Sequence, residues 1–206
     1  MERARPSRGN PVAWVWLGTA VVGVLALAAG LAARSWWLNP AFQRSPFRWT
    51  SILATLIAAG CAVVLARRER GKPRLLLAIG LAYIAVDNAL GLHQRLAADL
   101  DLRALTSLEE GALPLVANTL LLGVVAVLLL LELRLARPAS AMIATGTALL
   151  ATALAARFCG GALAALDGLP TGEPRAAGEA AMHACGLAGW MLVAAGLLVR
   201  AREASR

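Results

Sequence analysis

Apolar residues in this chain run in unbroken blocks rather than alternating with polar ones. The blocks are roughly 20 residues long, the length of helix that crosses a bilayer. Six spans are predicted: Pro11 to Ala33, Thr50 to Ala66, Leu75 to His93, Leu113 to Leu133, Ala139 to Leu163, and Glu179 to Val199. Each is bounded by charge, Pro or Gly, as helix ends usually are. The absence of period-two alternation excludes a transmembrane barrel. The predicted fold class is all-α, an integral membrane bundle of six transmembrane helices. Residues 1–10 form a basic N-terminus, 11–200 the transmembrane domain, and 201–206 a short tail.

The first span follows a basic leader, the layout of a signal peptide, and Leu31-Ala32-Ala33 resembles a cleavage site. Its apolar run is longer than a signal h-region of about 7–15 residues, so an uncleaved anchor is expected. The stretch Gln94 to Ala112 is the longest polar connection. Within it Leu96, Leu100, Leu105 and Leu108 recur at roughly helical spacing among charged residues, which predicts a short interfacial helix over 97–110. Thr106 and Ser107 each precede a Glu by three residues, a capping-box pattern that assigns Glu109 and Glu110 to a solvated first turn. The segment Asp167 to Pro174 carries turn chemistry.

Composition supports this picture. Hydrophobic residues make up 59% of the 206 and charged ones only 16%, against about a quarter charged in soluble domains. Basic residues number 20 and acidic ones 12. The basic ones sit between apolar blocks, the positive-inside pattern, and no aromatic–basic interleaving suggests a nucleic-acid partner. On alternate sides of the membrane the Lys and Arg count is 13 against 7. The richer side holds both termini and the 67–74 loop and is expected to be cytoplasmic. Trp36, Trp37 and Trp49 then fall at the outer interface. The Ala/Leu/Arg/Gly bias, with Lys72 the one lysine, points to a GC-rich bacterial genome and hence to an inner membrane. Cys61, Cys159 and Cys185 lie in apolar surroundings and form no framework. Ala181/Cys185, Ala184/Ala188 and Gly186/Gly189 give the sixth span a slim side for close packing.

Ionisable side chains inside a span cost a few kcal/mol, so each is informative. The third span ends Asp87-Asn88-Ala89-Leu90-Gly91-Leu92-His93-Gln94, and the sixth opens Glu179-Ala180-Ala181-Met182-His183. His93 and His183 are the two histidines of the chain. With the expected orientation, Asp87 lies roughly 9 Å deeper than His93, and His183 about 6 Å deeper than Glu179. Asn118 and Arg157 fall at similar depth, so a polar layer is expected in the outer third of the bilayer and a bland inner half. Glu179 and His183, at i and i+4, share a face and suit one metal ion. Asp87 and His93 sit about 120° apart on an unbroken helix. His93, Glu179 and His183 are therefore the expected metal ligands, with Asp87 a base or an orienting residue. Against this stands a structural reading, in which these groups are wet helix ends or interhelical partners.

Asp87-Asn88-x4-His93-Gln94 resembles the D-[D/E]-x4-H-E signature of a loose group of bacterial multi-span membrane proteins. In that group a later span opens with acidic residues followed by Gly, which Glu179, His183 and Gly186 resemble. Here Asn88 and Gln94 replace the acids, leaving fewer anionic ligands. The resemblance implies a site and no particular reaction.

Three functions follow as expectations. One is a metal-assisted hydrolase or transferase on lipid-type substrates, with zinc lowering the pKa of a bound water. Another is a b-type haem held by His93 and His183, with room provided by Gly91 and Gly186. The third is a non-catalytic accessory subunit, whose partners are membrane lipids and other membrane proteins. The orientation is testable by cysteine labelling: Arg70→Cys should react from the cytoplasmic side and Glu173→Cys from the outer side. Labelling of position 173 from within would refute the topology.

Overall fold

The computed structural model describes residues 11–32, 45–69, 72–92, 112–132, 139–165 and 173–205, with side chains described outside 112–119, 157–165 and 173–177. The expected interfacial helix over 97–110, the basic leader, Trp36, Trp37 and His93 lie outside these residues. Among the described residues there are six helices and no strand. They are α1 (Pro11–Ala32), α2 (Pro46–Glu69), α3 (Lys72–Leu90), α4 (Ala112–Glu132), α5 (Ala139–Ala165) and α6 (Glu173–Glu203).

Each predicted span falls within or largely on one of these helices, and the differences lie at the ends. α2 begins four residues before Thr50. Pro46 occupies its first position, where a missing N–H costs nothing, and the Ser45 carbonyl accepts from Arg48 N (3.1 Å) and Trp49 N (3.2 Å). α3 stops at Leu90 rather than His93. Gly91 takes a φ of 63° and its N–H donates to Asp87 O at 2.7 Å. That left-handed conformation suits glycine and ends a helix. Glu173 and Pro174, expected in a turn, instead open α6; proline is tolerated in a helix's first turn.

α6 is the hub: it packs on α5 most extensively, and also on α2 and α1. α2 and α3 form an antiparallel hairpin, and α4 touches both α3 and α5. Contacts thus run from α2 through α3, α4, α5 and α6 and back to α2. Leu65, Leu81, Leu129, Ile143 and Val193, one from each of these five helices, meet in a common core. α1 joins a smaller cluster through Ala26, against Ala184 and Leu187 of α6.

The exterior is apolar. Trp14, Leu53, Leu76, Ile79 and Leu120 are each more than half exposed. Among the described residues five helices are long and apolar enough to cross a membrane, and the shorter apolar stretch Leu120–Glu132 belongs to α4. The chain is an α-helical membrane protein.

Close approach, not side-chain bulk, joins α5 to α6. A Cβ on Gly146 would stand 2.7 Å from Gly189 O and 2.9 Å from the Val193 N; one on Gly189 would stand 2.9 Å from Gly146 O. The slim side of α6 therefore includes Gly189 as expected, whereas a Cβ at Gly186 would meet nothing within 4 Å. Gly146→Ala should force the two backbones apart and destabilise the fold by about 1–3 kcal/mol. Gly60→Ala, where a Cβ meets nothing within 4 Å, should be tolerated. Thermal unfolding in detergent compares them; equal midpoints would refute the seam.

Candidate functional site

Asp87 sits in the last full turn of α3 and is 2% exposed. A carboxylate at such a place demands compensation. Arg48, in the first turn of α2, supplies a positive charge within electrostatic reach of it. The same guanidinium donates to the Asn88 carbonyl, through Nη2 at 2.8 Å and Nε at 3.2 Å. That carbonyl is one of the last four of α3, which have no partner within the helix. A cation there also complements the negative end of the helix dipole. One half-buried arginine therefore closes the end of α3 and lies within electrostatic reach of its buried acid. Beside it on the chain, Ser45 is fully buried and its Oγ has no hydrogen-bond partner.

Arg48 was read from the sequence only as a loop charge. The available signal was Ser45-Pro46, an N-cap followed by a proline at the first helical position, which draws Arg48 into a helix antiparallel to α3.

On α6, Glu179 is exposed and His183 is half-buried, one turn apart on one face. α3 and α6 do not pack extensively on one another, while α2 packs on both. Asn118 lies on α4 and Arg157 on α5, and their side chains, like the whole of His93, lie outside the described residues. Among the described residues no three His, Cys, Asp or Glu side chains gather closely enough to hold a metal ion. Of the expected ligands His93, Glu179 and His183, the described residues contain the last two.

The half of the bundle expected to be bland carries a charged network at its end. Arg74 of α3 binds Glu132 of α4 (Nε–Oε1, 2.7 Å) and Glu69 of α2 (Nη2–Oε2, 2.8 Å). Glu69 in turn binds Arg200 of α6 (Nη2–Oε1, 2.8 Å). Arg68 Nη1 donates to Ala204 O at 3.3 Å. Four helices are thereby tied together by two acids and two bases. Glu132 is only 6% exposed, and its Oε2 and the Arg200 Nε have no hydrogen-bond partner. Breaking such a buried pair by removing one member is strongly destabilising, because the other charge is stranded. Glu132 was not singled out from the sequence; the signal that could have found it was an acid embedded in a leucine run, the reasoning that singled out Asp87.

The chain matches no family model, no curated protein and no solved structure.

The two groups near the end of α3 should be energetically coupled. Arg48→Gln and Asp87→Asn are each expected to destabilise the protein, and the double variant should lose less than their sum, by about 0.5–3 kcal/mol. Unfolding of the four proteins in one detergent measures this, and strict additivity would show that Arg48 and Asp87 act independently.

Proposed function

We propose that the chain is a six-span bacterial inner-membrane protein with both termini in the cytoplasm, and that it serves as a non-catalytic subunit of a membrane assembly. One observation carries this reading: the Arg48 guanidinium is bound to the Asn88 carbonyl at the end of α3, within electrostatic reach of Asp87, the deep acid on which a catalytic role would depend. The charges of Glu69, Arg74, Glu132 and Arg200 are spent in the same way, on joining helices. A packing subunit needs a rigid, internally compensated bundle and an apolar exterior open to neighbours. α1 offers the most open face, with only Thr19 and Ala26 of its residues buried.

A second reading has its own support. Glu179 is exposed and His183 half-buried on one face of α6, an arrangement that suits metal chelation from a helix. With His93 as third ligand and Asp87 orienting a histidine or taking a proton, the site would serve hydrolysis or transfer on a lipid-type substrate. Zinc would supply an activated water. A haem between His93 and His183 is the redox variant of this reading.

Elemental analysis and a visible spectrum of one purified sample separate the readings. The subunit reading expects substoichiometric metal and no haem absorption in the unaltered protein, and the same in Glu179→Ala and His183→Ala. Stoichiometric metal lost in both variants would overturn it in favour of the metalloenzyme, and a haem band lost in His183→Ala in favour of the redox module.

A further inference from the structure

The end of the bundle that carries the ion network has more positive charge than the network uses. Its described basic residues are Arg67, Arg68, Lys72, Arg74, Arg200 and Arg202, against Glu69, Glu132 and Glu203. Glu69 and Glu132 are engaged by Arg74 and Arg200. Arg67, Arg68, Lys72 and Arg202 are exposed, and of the three acids only Glu203 lies outside the network.

These exposed cations sit at the foot of exposed apolar stripes. On α3, Lys72 is followed by Leu75, Leu76 and Ile79, at i+3, i+4 and i+7, all on one face. Those three are 52%, 59% and 58% exposed. On α2, Val64 (41% exposed) precedes Arg67 and Arg68 by three and four residues. On α6, Leu198 (38% exposed) precedes Arg202 by four. The pattern occurs on three helices, and α2 packs on both of the others.

We propose that this end of the bundle is a binding surface for anionic phospholipid. The phosphate would meet Arg67, Lys72 and Arg202, and the acyl chains would lie along the Leu75, Leu76 and Ile79 stripe of α3 and beside Val64 and Leu198. Juxtamembrane clusters of Lys and Arg attract anionic lipid in this way. Cations set directly below bilayer-facing apolar side chains stand at headgroup depth, where a lipid phosphate meets them without leaving the bilayer. The surface rests on the chain's spanning a membrane and not on its being a subunit; stoichiometric metal would refute the latter and leave this surface standing.

The test is thermal unfolding of the full-length protein in detergent, with added phosphatidylglycerol or phosphatidylcholine at equal concentration. Phosphatidylglycerol should raise the midpoint more than phosphatidylcholine does. High salt should reduce that difference, and the variant Arg67→Gln/Lys72→Gln/Arg202→Gln, which leaves the ion network intact, should at least halve it. An undiminished preference in the variant would overturn the proposal. So would equal protection by inorganic phosphate, which would assign the site to a free anion. Equal protection by a poly-glutamate peptide would assign it to an acidic protein. If the variant does not fold, the salt titration of the unaltered protein decides: a preference insensitive to salt overturns the proposal.

Discussion

A charge that must remain in an apolar surrounding needs an opposite charge or dipole at fixed geometry, and this bundle is organised around that constraint. Its apolar middle is held by core leucines and valines, which fit many arrangements. Its two ends are held by directional contacts. At one end Arg48 reaches across from α2 to the Asn88 carbonyl of α3, within electrostatic reach of Asp87. At the other, Glu69 and Arg74 join the same two helices and extend the link to α4 and α6. The hairpin of α2 and α3 is therefore fastened top and bottom, and the remaining helices assemble on it and on the glycine seam between α5 and α6.

The helices themselves were legible from the run lengths of apolar residues, because a membrane span leaves little freedom of length. Their ends were less so. Treating Arg48 as a boundary charge hid the first turn of α2, and an apolar pattern running through Gly91 hid the stop of α3. In both cases the decisive information was backbone chemistry: a proline lacking its N–H, and a glycine able to adopt positive φ. Hydropathy carries neither.

The candidate site was legible in part for a related reason. Composition identifies a costly residue but not the partner that compensates it. Asp87 stood out because an acid in a span is expensive, and its burial bears that out. Its neighbour Arg48 lies 39 positions away in sequence, and only the antiparallel packing of α2 on α3 brings them together. Glu132, equally buried among leucines, drew no notice because it stood at the edge of a predicted span. The pair Glu179 and His183 was placed on one helical face by spacing alone, and α6 supplies that face.

Fastening the hairpin at both ends also sets a length. From Arg48 to Glu69 the axis of α2 rises about 31 Å at 1.5 Å per residue, close to the roughly 30 Å hydrocarbon thickness of a typical bilayer. Sliding α2 past α3 by one turn, about 5.4 Å, would break the contacts at both ends together. The hairpin is thus a rigid gauge rather than an adjustable one. In a thinner or thicker membrane the protein's available responses are to tilt as a whole or to deform the surrounding lipid, which makes it sensitive to bilayer thickness in a way that a loosely packed pair of helices would not be.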